Sequence, residues 1–402
     1  MVTIVGGVYN ETCIHPEWNE CMGSAGRAAS ILARLNAETK LISYADSLTT
    51  EIFQNKSALE GFAFEGIEIP YSVSFEYLHC LASPVIDIVR EKRPPIEITA
   101  EKVLCFGMLE GEAIIDCDFA VYDPQNGTSS KHFHENGSRA KHLAIILNEH
   151  EANILVGESG LTEEALIFKL IEQTAAEVVV LKRGPRGALL YHDSAYISIP
   201  SFITERVWKM GSGDVFTSYF AHSWLVAGEA PKEAAYIASK ATAYYCNTLM
   251  FPELNAINDF DQNPVVISDR VNSGYKPVVY LAGPFFTLSQ VWMIEQARKD
   301  LFLLGIEVFS PLHDVGRGPA SQVVSQDLEG IRDCDVVFAI GDGLDTGTIF
   351  EIGYARALHK PVVFYAESVT SENKKMLEGS ACIMATDYTS AIYRTVWEAI
   401  SS

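Results

Sequence analysis

The sequence is short of basic residues: its 402 positions hold 30 Lys and Arg against 52 Asp and Glu, giving a formal net charge of −22. A field of this sign repels phosphate backbones, so we expect no general binding to nucleic acid or to anionic membranes. The one compact basic run, REKRPP at 90–95, is interpreted as a solvated turn. A small anionic substrate is still compatible with this charge, because local donors can outweigh the overall field.

Long apolar runs, a leader-like start and paired cysteines are also missing. No uncharged apolar stretch approaches the roughly 18–20 residues that span a bilayer. The start, MVTIVGGVYN, has no basic segment followed by an apolar one, so it is predicted to be a strand with a glycine turn rather than a signal peptide. The eight cysteines include no CxxC pair and no zinc-type Cys/His spacing, which predicts buried thiols in a reduced, cytoplasmic protein.

What the sequence does contain is an alternation of short β-rich runs and segments of helical period, such as VTIVGG before GRAASILARLNA and PVVYLAG before SQVWMIEQARKDLFLLG. This alternation predicts parallel sheets covered by helices. Residues 45–100 instead suggest several strands, which we interpret as a small β-rich, lid-like element. A chain of this length exceeds what one core usually supports, and helical periodicity lapses in the Asn-, Asp- and Pro-rich stretch 251–277. We therefore predict a first domain over 1–262, a linker over 263–275 and a second domain over 276–402.

In the first domain, the segment GSGD at 211–214 stands immediately before a helical pattern. Glycines at this point let backbone N–H groups converge, and the helix N-terminus favours an anion. Asp214, in the first turn, would lie beside a bound phosphate, where a carboxylate can take the proton of an attacking hydroxyl. The alternative is that Asp214 caps the helix and has no other role.

GSGD resembles the GAGD motif of the ribokinase-like (PfkB-type) family of sugar and nucleoside kinases. Four further segments resemble that family in the same order over residues 1 to about 250: GSAGRAASILARLNAETKLIS, AVYDPQNG, LNEHEANILVG and VVVLKRGPRGALLY. The resemblance implies a ribokinase-like αβα kinase domain that uses ATP and Mg²⁺. It implies Asp214 as the catalytic base, with Gly211, Ser212 and Gly213 around the transferred phosphoryl group.

The same resemblance implies roles for residues on the nucleotide side of this domain. Lys182 and Gly184, in the VVVLKRGPRGALLY segment, are expected nearest to ATP. Asn148 and Glu151 match the family's N-x-x-E segment, which is linked to magnesium and phosphate handling, and Glu151 is expected to reach Mg²⁺ through water.

Two departures from the family pattern concern the acceptor. Where the family has an Asp near the end of the first strand and an Asn in the glycine-rich segment, this chain has Asn10 and Arg27, which are expected to contact the acceptor instead. Arg27 supplies a bidentate fork for anions, so the acceptor is expected to be phosphorylated or to differ from a plain sugar. A degenerate domain that binds nucleotide without phosphorylating anything is the alternative.

In the second domain, acidic residues follow three successive strand patterns. A strand ends in YLAGPFFTLSQ at 280–290, a helical pattern carries Asp327, and GDGLDTGTIFEIGYARALHK carries Asp345 and Glu351. Because ligands bind at the carboxyl ends of parallel strands, these acids are predicted to converge on one pocket. Two such groups can divide the cleavage of a glycosidic bond, one attacking the anomeric carbon while the other delivers a proton. The alternative is that Asp345 only caps a helix and the other two are surface charges.

Residues 276 to about 370 resemble the nucleoside 2-deoxyribosyltransferase family through Y-x-A-G-P-F-F, D-L-x-x-I-x-x-C-D-V-V and D-x-G-T-x-x-E-I-G-Y-A. The resemblance implies a flavodoxin-like, doubly wound parallel sheet with Glu351 as the nucleophile of a covalent glycosyl intermediate. It further implies that Asp327 assists proton delivery, Asp345 holds sugar hydroxyls and Tyr280 orients Glu351. The residues expected to line the substrate pocket after the first strand are Gly283, Pro284, Phe285 and Phe286.

A related branch of that family hydrolyses nucleoside 5′-monophosphates, and this domain could belong to either, although the GPFFT turn resembles the transferases more. Together the two halves predict a bifunctional enzyme acting on nucleosides, nucleotides or pentoses, with ATP and Mg²⁺ in the first domain, no cofactor in the second, and a homo-oligomeric state. The order of the two steps stays open. Two other hypotheses are a nucleotide-sensing module attached to a monofunctional N-glycosyltransferase or hydrolase, and a pair of ligand-binding domains without chemistry.

Overall fold

The fold is that of a computed structural model, which describes residues 1–87, 93–125 and 130–402. The basic run REKRPP falls partly on 88–92, and the asparagine of the AVYDPQNG motif falls on 126–129; these positions lie outside the described residues. Within the described part of the chain, no helix is both long enough and apolar enough to cross a membrane.

The chain forms two compact units. The first comprises Met1–Thr204 and Trp208–Gln262, and the second comprises Glu205–Val207 and Asn263–Ser402. Residues 263–275, predicted to be a linker, therefore group with the second unit, where the N–H of Ser268 donates to the carbonyl of Ile400 at 2.9 Å.

The described part of the first unit holds these strands: β1 (Val2–Val5), β2 (Asn10–Cys13), β3 (Trp18–Cys21), β4 (Thr39–Ala45), β5 (Ala63–Glu68), β6 (Ser74–Tyr77), β7 (Val85–Asp87), β8 (Ile96–Phe106), β9 (Ala113–Asp123), β10 (Arg139–Asn148), β11 (Val178–Lys182), β12 (Ala188–His192) and β13 (Ala195–Ile199). Its helices are α1 (Gly23–Arg34), α2 (Ser47–Glu60), α3 (Glu149–Val156), α4 (Glu163–Thr174), α5 (Ser212–Ala221), α6 (Pro231–Thr248) and α7 (Leu254–Asp259).

Nine of these strands form one sheet in the order β13–β12–β11–β10–β9–β8–β1–β4–β5. The neighbours from β11 to β5 are parallel, and β12 and β13 add an antiparallel hairpin at one edge. Successive side chains of a strand point to opposite faces, and both faces of this sheet are buried. Ile4 packs into a core cluster with α1, α5 and α6, whereas Val5 packs into a second cluster with α3 and α4. The predicted αβα layering of the first domain is confirmed.

The small β-element differs from its predicted extent. It is a separate four-stranded sheet in the order β3–β2–β6–β7, so it draws β2 and β3 from the segment directly after β1. The range 45–100 also contains α2 and β5, which belong to the main layers because Phe53 of α2 is fully buried in the core. Helix α2 begins where Asp46 accepts a hydrogen bond from the N–H of Thr49, and it ends at Gly61 in the left-handed conformation.

The second unit has the strands β14 (Val278–Ala282), β15 (Glu307–Phe309), β16 (Val336–Ile340), β17 (Val362–Tyr365) and β18 (Ile383–Ala385). Its helices are α8 (Asp269–Asn272), α9 (Leu288–Leu303), α10 (Ala320–Asp333), α11 (Thr346–Ala357), α12 (Ser371–Gly379) and α13 (Tyr388–Ser401).

All five strands of the second unit are parallel and stand in the order β15–β14–β16–β17–β18. In order of appearance this is 2-1-3-4-5, the flavodoxin-like order, so the predicted fold class of the second domain is confirmed. The chain adds β15 on one side of β14 and β16 on its other side. This switch opens a crevice beyond the carboxyl ends of β14 and β16.

Candidate active sites

In the first unit, three neighbouring parallel strands end in polar residues at one edge of the sheet. Strand β9 ends in Asp123, β10 in Asn148 and β11 in Lys182. The Oδ2 atom of Asp123 accepts hydrogen bonds from Lys182 Nζ at 2.8 Å and from Thr217 Oγ1 of α5 at 2.7 Å. These contacts hold the start of α5 at the carboxyl edge of the sheet, where ligands of such folds bind.

Asp214 lies in the first turn of α5 and is not the residue that caps it. The N-cap position is Gly211, whose φ of 69° is left-handed and suits glycine. The buried Asp214 carboxylate accepts instead from Arg27 Nη1 at 2.6 Å and from Gln125 Nε2 at 2.6 Å, one donor on each oxygen. The capping-only interpretation of Asp214 therefore does not describe its contacts.

Arg27, from α1, links two acids. It is only 1% exposed, and its Nη2 donates to Glu11 Oε2 at 2.7 Å while its Nη1 donates to Asp214. We call the set Glu11, Arg27 and Asp214 the Arg27 clamp. Burial raises the pKa of Glu11 above its usual value, although the adjacent guanidinium acts in the opposite direction. A Cβ at Gly211 would lie 2.3 Å from Arg27 Nε, so the guanidinium packs directly on the turn before α5.

The residues assigned to nucleotide and magnesium have well-defined local partners. Asn148 and Glu151 form a capping box on α3: Asn148 Oδ1 accepts from the N–H of Glu151 at 2.9 Å, and Glu151 Oε2 accepts from the N–H of Asn148 at 2.7 Å. Gly184 opens a short 3₁₀ turn, Gly184–Arg186, with a positive φ of 57°. The capping box gives these two residues a structural role that does not depend on a ligand.

A magnesium ion suits the carboxylates at this edge. Burial raises the pKa of Asp123 to about 7, Lys182 opposes this shift and Glu151 adds to it. The Oδ1 atom of Asp123 is buried and has no hydrogen-bond partner among the described residues. Mg²⁺ commonly binds through one or two carboxylates, several waters and substrate phosphates, which fits Asp123 and Glu151. In the described ranges, no group of three or more His, Cys, Asp or Glu forms a metal cluster.

Sequence reasoning missed several residues of this site: Glu11, Asp123, Gln125 and Lys209. The prediction named Asn10, but Asn10 is exposed at the start of β2 while the next residue, Glu11, is buried against Arg27. Asn10 and Glu11 lie on opposite faces of β2, and the alternation of a strand does not say which face is directed inward. Asp123 and Gln125 stand inside the AVYDPQNG motif, and Lys209 stands two positions before the GSGD segment.

In the second unit, the central contact joins β14 to α11. The hydroxyl of Tyr280, whose side chain is fully buried in β14, donates to Glu351 Oε1 at 2.7 Å. Glu351 is the sixth residue of α11, the helix that follows β16, and β16 is the neighbour of β14 in the sheet. The predicted nucleophile and its predicted orienting tyrosine therefore lie together at the crevice between these strands.

Two more acids act on Glu351. Burial raises the pKa of Glu351 to about 7, the Tyr280 hydroxyl lowers it, and Asp327 and Asp345 raise it further. Burial also raises the pKa of Asp327, whose Oδ1 is buried without a hydrogen-bond partner in the described part of the chain. Asp345 caps α11, its Oδ2 accepting from Thr348 N at 2.9 Å and Thr348 Oγ1 at 3.1 Å.

The segment after β14 leads from the carboxyl end of that strand to α9. A Cβ at Gly283 would lie 2.9 Å from Ile294 Cδ1, so the strand end packs closely on α9. Pro284 is buried, and the rings of Phe285 and Phe286 stack with centroids 5.6 Å apart. Phe286 is 70% exposed, whereas Phe285 is half-buried.

Asp342, after β16, has a structural role. It accepts hydrogen bonds from the backbone N–H groups of Glu367 and Ser368, both at 2.9 Å, and from Ser368 Oγ at 2.7 Å. These bonds lower the pKa of Asp342 despite the opposing effect of burial. Asp342 thus stabilises the loop after β17 as an ionised carboxylate.

Two family models match this chain, in the same order along the sequence as the two sets of motifs described above. A model for the pfkB family of carbohydrate kinases matches residues 114–248, and a model for nucleoside 2-deoxyribosyltransferases matches residues 279–383. The class of each unit follows: the chain is a fusion of a PfkB carbohydrate kinase domain with a nucleoside 2-deoxyribosyltransferase domain, as the resemblances implied. The first match includes Asp214, Lys182 and Glu151 but begins after Arg27.

Solved structures similar to this chain include ribokinases and a nucleoside kinase. Ribokinase from Thermotoga maritima is 16% identical over 65% of this chain and 98% of its own, with a TM-score of 0.46. Arabidopsis thaliana ribokinase complexed with ribose and ATP is 16% identical over 64% and 97%, with a TM-score of 0.48. A Methanocaldococcus jannaschii nucleoside kinase is 12% identical over 64% and 97%, with a TM-score of 0.48. No curated protein sequence matches this chain significantly.

Proposed function

We propose that the second unit breaks or transfers the N-glycosidic bond of a nucleoside through Glu351, and that the first unit transfers a phosphoryl group from ATP to a sugar or nucleoside hydroxyl. The observation that carries the proposal is the 2.7 Å hydrogen bond from Tyr280 to Glu351, with Asp327 and Asp345 close enough to raise the pKa of that carboxyl. Perturbed carboxyl groups gathered at a strand-end crevice are typical of catalytic sites.

The contacts of the second unit support a two-step displacement. Tyr280 holds Oε1 of Glu351, so Oε2 is the oxygen that attacks the anomeric carbon. A bond from Oε2 to this carbon forms as the bond to the base nitrogen breaks, and Asp327, whose raised pKa favours the protonated form, gives its proton to the leaving base. Water or a second base then attacks the same carbon, Asp327 takes back a proton from it, and the bond from this carbon to Oε2 breaks to release Glu351.

The charge of this site favours a neutral nucleoside over a nucleoside 5′-monophosphate. In the described residues, Glu351, Asp327 and Asp345 take part in no ion pair, so a phosphate close to them would meet uncompensated carboxyl groups. A basic side chain near the pocket segment is the exposed Arg317, whose Nη2 lies 3.4 Å from the carbonyl of Phe285. Comparing nucleosides with their 5′-monophosphates, with Arg317→Ala as the variant, decides between the two substrate classes.

The test of the glycosidic activity is direct. The protein is incubated with a panel of nucleosides and 5′-monophosphates, the released bases are separated by chromatography, and the protein is analysed by mass spectrometry for a glycosyl adduct. We expect an adduct on Glu351 that is missing in Glu351→Gln and present in Glu329→Gln, an exposed glutamate on α10. An adduct on a different residue would sink the proposed nucleophile.

In the first unit, the GSGD turn and the N-terminus of α5 are suited to the transferred phosphoryl group, and Asp214 to the proton of the acceptor hydroxyl. Asp123 and Glu151 would hold Mg²⁺, which neutralises phosphate charge when it is bound. The contact that must change is the one on Asp214 Oδ1, because Gln125 Nε2 occupies it at 2.6 Å. An acceptor hydroxyl that displaces this neutral donor leaves the ion pair with Arg27 in place.

A second candidate function for the first unit is nucleotide sensing without phosphoryl transfer. The Arg27 clamp favours it, since both oxygens of Asp214 are occupied and a proton placed on this carboxylate would weaken a buried ion pair. ATP consumption with a panel of nucleosides and pentoses separates the two functions. Loss of consumption in Asp214→Asn, with the exposed Asp261→Asn unchanged, supports phosphoryl transfer; ATP binding with no consumption by wild type supports sensing.

A further inference from the structure

Three basic side chains converge on the GSGD turn of the first unit, and two of them are already paired. Arg27 binds the carboxylates of Glu11 and Asp214 at 2.7 and 2.6 Å. Lys182 binds Asp123 at 2.8 Å, and its Nζ would lie 3.5 Å from a Cβ placed on Gly213. Removing either cation from its partner leaves a buried carboxylate without compensation, which is strongly unfavourable.

Lys209 is the third. It stands two residues before Gly211, and its Nζ donates to Ser212 Oγ, at the first position of α5, at 3.0 Å. In the described residues no carboxylate lies within 4.0 Å of this ammonium, although Asp214 and Glu151 act on it electrostatically from farther away. Burial lowers the pKa of Lys209, and the positive charge of Lys182 acts in the same direction.

These observations place a partly buried ammonium, bonded to Ser212 and without a close counter-ion in the described part of the chain, at the positive end of a helix. A charge removed from water is stabilised when an opposite charge takes the place of the lost solvent. The partial positive charge at the N-terminus of α5 makes an anion the favoured partner, and phosphate oxygens can accept from the ammonium and from backbone N–H groups together.

We propose that Lys209 is the phosphate-binding cation of the first unit and that it binds the terminal phosphates of a nucleoside triphosphate or of pyrophosphate at the start of α5. This inference rests on the proposed nucleotide function and deepens it, because it reassigns the phosphate contact from Lys182 to Lys209. Lys182 then has a structural role, namely to neutralise the buried Asp123.

The test measures ligand binding to the full chain by calorimetry, with ATP and Mg²⁺, pyrophosphate and adenosine as probes. Lys209→Met removes the charge, Lys209→Arg retains it, and Lys232→Met changes an exposed lysine of α6 in the same unit. We expect Lys209→Met to bind ATP and pyrophosphate about tenfold or more weakly, and to bind adenosine like wild type, because the loss of one charged hydrogen bond corresponds to about 1.5–3 kcal/mol. Lys209→Arg should recover part of the affinity, and Lys232→Met should match wild type.

A thermal-unfolding measurement without ligand distinguishes a binding role from a structural one. Since Lys209 has no close carboxylate partner, Lys209→Met should keep or raise the Tm, and only the rise in Tm caused by pyrophosphate should shrink. Equal pyrophosphate affinity in wild type and Lys209→Met would overturn the inference. If the ATP affinity of wild type depends on Lys209 but wild type transfers no phosphoryl group to any acceptor, the proposed kinase activity is overturned and the role of Lys209 is not. If Lys209→Met does not fold, Lys209→Gln replaces it in both measurements.

Discussion

The candidate site of the first unit pairs its carboxylates with cations, whereas that of the second gathers carboxyl groups without them. In the first unit, Asp214 shares Arg27 with a second acid, and Asp123 pairs with Lys182. In the second unit, the described contact of the Glu351 carboxylate is with the neutral hydroxyl of Tyr280. A cation beside a buried carboxylate opposes its protonation and holds its surroundings in place, whereas Glu351 has no such partner among the described residues and burial raises its pKa. The difference is in keeping with the proposed functions, in which the first site binds anionic phosphates and the second cleaves a neutral glycosidic bond.

The largest effect is expected at Glu351, in the site whose carboxyl groups have no paired cation within the described ranges. Glu351→Gln keeps the size of the side chain but removes the proposed attacking carboxylate, and we expect the rate of base release to fall by about 10⁴- to 10⁶-fold, the range found when one member of a catalytic group is removed. Single-turnover assays on a cleaved nucleoside measure it, and the exposed Glu329→Gln serves as the control. A loss of less than about tenfold would show that the unpaired carboxyl is not the reacting group.

The next prediction concerns the Arg27 clamp, in the site whose carboxylates are paired with cations. Arg27→Met leaves Glu11 and Asp214 buried beside each other without a cation, so we expect the free energy of unfolding of the first unit to fall by about 3–5 kcal/mol. Arg34→Ala removes an exposed ion pair with Glu253, for which a loss of about 0–1 kcal/mol is expected. Denaturation curves of the full chain compare them. Equal stability of the two variants would mean that the clamp is not a structural element.

A third prediction concerns Tyr280 and the pH dependence of the second site. The proposed nucleophile Glu351 has to be ionised to attack, so base release should rise with pH around the pKa of this group, which is about 7. Tyr280→Phe removes a hydrogen bond that lowers the pKa, so the profile should move to higher pH, with a rate about 10- to 100-fold lower because a charged hydrogen bond is lost. Asp345→Asn keeps a capping oxygen on α11 but removes a negative charge that raises the pKa of Glu351, so its profile should move to lower pH. A shift of both pH profiles in the same direction would contradict the assigned effects of these two neighbours on the pKa of Glu351.

The stability of the second unit should depend on pH with the opposite sign. The pKa of Glu351 is raised in the folded state from its usual value of 4.5 to about 7, so the native state binds more protons between these values. This group therefore stabilises the fold at lower pH, and that contribution is lost as the pH rises through about 7. Melting curves of wild type and Glu351→Gln should converge at low pH and separate at high pH, with the variant more stable. An unchanged difference across this range would exclude the raised pKa.

The smallest expected effect separates two glycines of one turn. Gly211→Ala forces a φ of 69° on a residue with a Cβ and places that Cβ 2.3 Å from Arg27 Nε, so we expect a loss of about 1–3 kcal/mol. Gly213→Ala, inside α5, meets Lys182 Nζ at an ordinary 3.5 Å and should be neutral or slightly stabilising. Thermal unfolding of the two variants measures the difference, and a more stable Gly211→Ala would show that Arg27 does not pack on the turn.

Much of the fold could be predicted from the sequence because its signals are local. Strand–helix alternation gave both parallel sheets, and the motif around Asp345 and Glu351 placed a helix after β16 where the structure has one. Helix α2 was missed although Asp46 and Gly61 are standard boundary residues, because the apolar pattern of its surroundings suggested strands.

The pairing of charges could not be predicted, because it depends on which strand ends become neighbours. Nothing local indicates that Arg27 meets Asp214, or that Lys182 is committed to Asp123 while Lys209 is not. The choice between Asn10 and Glu11 depends in turn on which face of β2 is directed inward. These are tertiary facts, and motif spacing does not contain them.

The sequence separation of the two central contacts affects when each site can form during synthesis and folding. Tyr280 and Glu351 are 71 residues apart, whereas Arg27 and Asp214 are 187 apart. Closing a longer loop has a larger entropic cost and lowers the folding rate, although the cost grows only slowly with length. During synthesis, Arg27 and Glu11 leave the ribosome long before Asp214 does. The contact of Arg27 with Glu11 can therefore form before its contact with Asp214. The contact of Arg27 with Asp214 can therefore form only after most of the first unit has been synthesised.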